Sequence, residues 1–182
     1  MNTKKMLLSL SLLASIPSAL LYAAEEVATE ESSKAPTKAS HRIRRLLRKV
    51  LLNQRTIIKT LREILGYEEL TTDVKSVLAH DEARILAIIV ENQYEIISML
   101  GTIAGSDINK DLASRSASLQ GIPLVLVNQQ IIITLLHQIL NHDVEKFDEV
   151  TVENDAKGLK AVIENQDKII AMVKEVQATR QA

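Results

Sequence analysis

Apolar residues recur along this chain at alternating steps of three and four, and in four places the polar pair Asn-Gln interrupts them. The stretches read LLNQRTII, VENQYEII, LVNQQIII and IENQDKII. Aligned on Asn53, Asn92, Asn128 and Asn165, their flanks fall into register, with steps of 39, 36 and 37 residues. Self-similarity at a near-constant period marks a repeated structural unit. One seam runs Leu47, Leu51, Gln54, Ile58, Leu61, Leu65; the same spacing gives Leu86, Val90, Gln93, Ile97, Leu100, Ala104 and its counterparts around Gln129 and Gln166. A strand, with period two, cannot produce this pattern, whereas a helix does. A second seam lies one residue earlier, as in Ile85, Ile89, Asn92, Ile96, Met99, Ile103. Adjacent residues on a helix are about 100° apart, so each helix carries two neighbouring seams and packs against two partners. The expected fold is all-α: a bundle of four long amphipathic helices with short accessory helices in the connections.

The helix ends agree with this reading. Ser40 and Asp81 stand where N-caps are wanted, and Pro123 suits a first helical turn. Gly66, Gly105 and Asn141 follow the last apolar residue of the first three copies and are residue types that take the left-handed C-terminal cap. The helices are therefore expected over 41–65, 82–104, 122–140 and 156–178. Copies two and four share an ENQ core, while copies one and three end alike in LREILG and LHQILN. That alternation suggests duplication of a two-helix unit. The connections, 15 to 17 residues, are longer than a bundle needs. Their sparse apolar residues predict accessory helices around Val74, Val77 and Leu78 and around Ile108 and Leu112, with Val144, Phe147 and Val150 in the third. An extended connection of this length reaches about 50 Å, more than the roughly 35 Å length of such a helix. Parallel and alternating helix orders are both permitted; alternation is the simpler expectation, and a solenoid is the competing architecture.

Asn53, Gln54, Asn92, Gln93, Asn128, Gln129, Asn165 and Gln166 fall near the middle of their helices. If the helices lie side by side, the pairs meet at one level and form a polar core layer. Buried amides cost free energy unless hydrogen-bonded, and amides at one level can satisfy one another, which fixes register and partner number. The alternatives are amides at the edges of the stripe, reaching water, or a ligand site built from them.

The N-terminus changes the picture of destination. Lys4 and Lys5 precede an apolar run from Met6 to Tyr22, then Ala23, Ala24 and the acids Glu25 and Glu26. This is the layout of a cleaved secretory signal peptide over 1–24, favoured over a membrane anchor by Pro17 and the serines. Residues 25–40, polar and without aromatics, read as a disordered tether, leaving 41–182 as the helical repeat domain. The expected location is the periplasm or the extracellular space. There is no cysteine, so no disulfide supports the core.

Charge is uneven. Arg42 to Arg62 holds eight Lys or Arg and no acid, whereas Glu63 to Asp111 holds ten acids and three bases. Arg42, Arg44, Arg45, Arg48 and Lys49 sit near a helix N-terminus, where the dipole disfavours cations. They point to an anionic membrane surface as target, or to internal pairing with the acidic second helix. The stretch IPLVLVNQQIIITLLHQIL is apolar almost all round and reads as central, at an oligomer interface, or in a membrane. Aromatic residues are too few for stacking on nucleic acid.

Candidate chemistry is sparse. His137 and His142 are five apart, off the spacing that puts two metal ligands on one helical face. There is no thiol nucleophile, the cluster Ser114, Ser116 and Ser118 lies in a polar connection with no histidine near it, and no Gly-rich phosphate loop appears. The sequence implies no catalytic residue, cofactor or metal. It implies an exported, non-catalytic helical protein acting by helix–helix association, with itself or with a protein partner, as a structural or adaptor subunit of a bacterial envelope or secretion assembly. The alternative is a membrane-active protein using basic helix 41–65 and apolar helix 122–140.

Overall fold

The computed structural model describes residues 38–68, 74–105, 119–143 and 151–181. Four long helices carry the fold: α1 (Lys38–Leu65), α3 (Glu82–Ala104), α4 (Gly121–Leu140) and α5 (Asp155–Gln181), with a single turn, α2 (Val74–Val77), between the first two. No strand occurs among the described residues. The accessory helix expected around Val74 and Val77 is thus present as α2. Those expected around Ile108 and Leu112, and Val144, Phe147 and Val150, lie outside the described residues, as do the segments expected to form a signal peptide (1–24) and most of a tether (25–40).

The ends form as the local chemistry requires. Asp81 is extended and its carboxylate accepts from the Arg84 N–H at 2.7 Å, capping α3. Asn154 accepts from the Lys157 N–H in the same way at the start of α5. Gly66 (φ 70°), Gly105 (φ 65°) and Asn141 (φ 56°) all take the left-handed conformation that terminates a helix. At Asn141 the turn closes with Asn141 N–H on the Gln138 carbonyl and His142 N–H on the His137 carbonyl. The expected Ser40 cap needs correcting. Lys38 and Ala39 are helix formers and extend α1 backwards, so Ser40 lies inside the helix and its hydroxyl faces Glu82.

Packing runs in a ring: α1 on α3, α3 on α4, α4 on α5 and α5 back on α1. α1 and α4 are therefore diagonal. The order is all-parallel, a correction to the expectation of alternating helices. Ser40 and Glu82 meet near the N-terminal ends of α1 and α3, and Gln177 donates to Glu63 near the C-terminal ends of α5 and α1. Arg180 of α5 donates to the Ile103 carbonyl at the end of α3. The chain returns the length of the bundle between one long helix and the next, which the length of the connections allows.

The core is divided in two. One cluster gathers the N-terminal halves, with Leu47, Val50, Ile85, Ile89, Val125, Leu159 and Val162 at its centre. The other gathers the C-terminal halves, with Leu61, Ile96, Leu100, Ile132, Leu136, Ile169 and Val176. Both seams of each helix point inward, as their spacing demanded. Gly158 is a steric requirement: a Cβ there would stand 2.6 Å from Ile122 Cγ2 and 2.9 Å from Val152 Cγ1, so only glycine lets the start of α5 approach α4 this closely.

The parallel order gives a direct test. The chain has no cysteine, so Glu63→Cys with Gln177→Cys offers a clean pair. A short bis-maleimide should link the two within one chain. In an alternating bundle they would lie at opposite ends, a helix length of about 35 Å apart, and no link would form.

Candidate functional site

Between the two halves of the core lies a polar layer. Gln54, Gln93, Gln129 and Gln166 are each 1% exposed and Asn128 is fully buried, whereas Asn53, Asn92 and Asn165 are half-buried. The four asparagines lie at the level of the glutamines, but only the glutamines are uniformly interior.

Their bonding differs from simple amide-to-amide contact. Gln54 Nε2 donates to the Ile89 carbonyl at 2.9 Å, Gln93 Nε2 to the Val125 carbonyl at 2.9 Å, Gln129 Nε2 to the Val162 carbonyl at 2.9 Å, and Gln166 Nε2 to the Val50 carbonyl at 3.2 Å. Every acceptor lies three residues before the asparagine of the next helix. A carbonyl has two lone pairs, so each can keep its helical bond and accept a second. The glutamine oxygens are used as well. Asn92 Nδ2 donates to Gln54 Oε1 at 3.0 Å, Asn128 Nδ2 to Gln93 Oε1 at 3.2 Å, and Asn165 Nδ2 to Gln129 Oε1 at 3.2 Å. Each Gln thus donates to the backbone of the following helix and, in three of four steps, accepts from that helix's Asn.

The bonds run one way around the ring, from α1 to α3 to α4 to α5 to α1. Antiparallel neighbours related by a two-fold axis would exchange bonds reciprocally. A one-way relation repeated in all four steps requires parallel helices at one level, so the layer and the helix order are one fact.

The fourth step is incomplete. Asn53 Nδ2 is turned to Asp167 Oδ1 at 3.2 Å, on the helix that carries Gln166. Lys49 Nζ faces the other oxygen of that carboxylate at 3.8 Å. Gln166 Oε1 is left buried without a donor. The residue after Gln is Arg55, Tyr94 and Gln130 in the other copies, so only α5 offers an anion there. A charged acceptor forms the stronger bond, and it draws Asn53 away.

Elsewhere polar chemistry is thin. His137 is buried in α4 with neither ring nitrogen bonded, and its ring stands edge-on to His142, centroids 5.9 Å apart. His142 Nε2 lies 3.7 Å from Glu175 Oε1. The two rings are neighbours only because the cap of α4 folds His142 back. Among the described residues no group of three or more His, Asp or Glu is disposed to hold a metal ion. A shallow cleft of about 390 Å³ at the C-terminal end is lined by Ile103, Gln138, Val176 and Arg180, among others.

The arginines at the start of α1 are placed on its outer face. Arg42, Arg44, Arg45, Arg48 and Lys49 are all exposed. Arg62, further along the helix, pairs with the acidic helix α3, its guanidinium reaching Glu95 at 2.7 Å. On α4, Leu124, Val127, Ile131 and Thr134 are half-buried and Gln138 is exposed, a third seam at steps of three and four on the outside. The helix contains no Lys, Arg, Asp or Glu at all. It is the one described helix long and apolar enough to cross a membrane, though more than half of its apolar window is buried in the bundle.

Fold and layer together define the class: a single-chain parallel four-helix bundle registered by a ring of core amides. Compared with protein-family models, curated proteins and solved structures, the chain gives no match.

The broken step predicts a contrast. Gln93→Leu removes the acceptor of Asn128, which is fully buried and whose own Oδ1 already lacks a partner. Gln166→Leu strands no donor and removes a buried oxygen without a bond. Leaving a buried polar group unsatisfied costs roughly 1–3 kcal/mol. Denaturant unfolding should therefore place Gln93→Leu about 1–3 kcal/mol below Gln166→Leu in stability. Equal stabilities would contradict the bonding described.

Proposed function

We propose that this chain is an exported, non-catalytic helical scaffold, a structural or adaptor subunit that binds a protein partner through the outer seam of α4. The observation that carries the reading is the closure of the bundle on itself. The two inward seams of every helix are consumed within one chain, and the core amides bond to one another and to backbone. What remains for recognition is the outside, where Leu124, Val127 and Ile131 form an uncharged apolar stripe with the spacing that suits a partner helix. Association then adds a helix to an intact bundle and leaves the bundle's own helices in place. Export is supported by Lys4 and Lys5, the apolar run Met6 to Tyr22 and the small residues Ala23 and Ala24 before an acidic stretch.

The alternative of a membrane-active protein using α1 and α4 together is less well supported. The two helices are diagonal in the ring, so their outer faces look in opposite directions. One flat surface meets one or the other.

The test uses the full chain in its native envelope. Val127→Lys with Ile131→Glu places charge on the outer seam while leaving the core positions intact. Both positions are half-buried and Ile131 packs against the C-terminal core, so some stability is lost, and a cooperative melt with unchanged helix content is the control that the variant is folded. Co-purification of the partner should be lost, and retained in Lys160→Glu on α5. Retention of the partner by the Val127/Ile131 variant removes the proposal.

A further inference from the structure

Five arginines of α1, Arg42, Arg44, Arg45, Arg48 and Arg55, are exposed and make no hydrogen bond or ion pair with any described residue. Bundle stability does not account for them. The first turn of α1 contains no acid of its own, and the carboxylate beside it is Glu82 of α3, against Ser40. Arg44 and Arg48, and Arg45 and Lys49, are four apart on one helix, a spacing at which like charges repel.

A second feature adjoins them. α2 stands beside α1 and the two enclose an open groove of about 730 Å³, lined by Arg48, Leu52, Arg55, Val74, Lys75 and Leu78, with Ala79 at its edge. Leu52, 44% exposed, lies between Arg48 and Arg55 on the outer face of α1. The groove has an apolar floor of Leu52, Val74 and Leu78, with basic residues on both walls.

We infer that this face of α1 docks on an anionic phospholipid leaflet, with the arginines on the lipid phosphates and the groove receiving the head group and upper acyl stem of one lipid. Charge complementarity carries the assignment, and the shape of the charge selects a lipid surface. From Arg44 through Arg48 to Arg55 these cations extend for about 16 Å along one side of the helix, matching a plane of repeated phosphates more closely than one compact anion. Guanidinium groups bind phosphate in a two-pronged geometry that lysine does not provide. An apolar floor between cationic walls fits a molecule with charge and hydrocarbon in one body. The face lies diagonally opposite α4, so docking leaves the α4 seam open. The inference is independent of the role proposed for α4 and fails or stands separately.

The experiment is flotation of the full chain, free of its leader, with vesicles of phosphatidylglycerol and phosphatidylcholine or of phosphatidylcholine alone. Binding is expected only to the anionic vesicles and should fall steeply as salt is raised. Arg48→Glu with Arg55→Glu should lower partition by about twentyfold or more, since each basic residue at an anionic leaflet is worth roughly fivefold. Leu52→Ser, which leaves charge unchanged, should lower it severalfold, and Lys160→Glu should have little effect. Unchanged melting curves establish that the variants fold; Arg48→Gln with Arg55→Gln replaces the reversal if it does not. Absence of binding to anionic vesicles at low salt overturns the inference, and so does an equal loss in Lys160→Glu. Full binding by Leu52→Ser overturns the groove's part in it. Capture of an acidic soluble protein through Arg48 and Arg55, without vesicle binding, assigns the face to a protein instead.

Discussion

Gln54 Nε2 crosses from α1 to the backbone carbonyl of Ile89, and the same reach recurs at Gln93, Gln129 and Gln166. Most of what distinguishes this bundle follows from that contact. An apolar seam is tolerant of sliding and reversal, because leucine packs on isoleucine in either direction with modest loss. A buried amide is not, because a carboxamide removed from its acceptor stays buried and unbonded. Four such contacts in one sense around the ring set both the level at which the helices meet and their common direction. The long connections then become a geometric necessity, since each must carry the chain back to the starting end.

Much of this was legible in the sequence, and the reasons it was or was not are physical. Local chemistry fixes ends: Asp81 has a carboxylate to offer the Arg84 N–H, and Gly66, Gly105 and Asn141 tolerate the left-handed conformation. Heptad spacing fixes which residues are inside, and it placed the four glutamines there. Direction was not legible, because seams and connection lengths fit both orders. Nor was the acceptor of each Gln, a backbone carbonyl, which carries no side-chain signature. Ser40 was misplaced because a cap depends on where the preceding residues choose to enter the helix. The diversion of Asn53 to Asp167 had a trace in the sequence, an acid following NQ in the fourth copy alone, but its meaning needs the neighbour that only the closed ring supplies.

The outer surface divides by helix. α4 carries no Lys, Arg, Asp or Glu and presents an apolar seam, while the start of α1 carries exposed arginines that pair with no described residue. Because the two are diagonal, the bundle separates an apolar face from a cationic one by its full width. A rigid parallel bundle suits that separation: its core amides fix the angular position of each helix, and hence the direction of each face. The functional proposals differ in target but share this premise, that the inward seams are consumed within the bundle and recognition is external.

The central claim is that the amide ring, and not the apolar seams, enforces parallel register. Replacing Gln54, Gln93, Gln129 and Gln166 all by Leu tests it most directly, combined with the Glu63→Cys and Gln177→Cys reporter pair. Each added apolar side chain contributes about 1.5–3 kcal/mol of burial, so the melting midpoint should rise. The reporter cross-link should at the same time become partial, and light scattering should detect more than one assembly size. A quadruple variant that melts higher yet keeps a complete cross-link and a single size would contradict the claim and assign register to the seams alone.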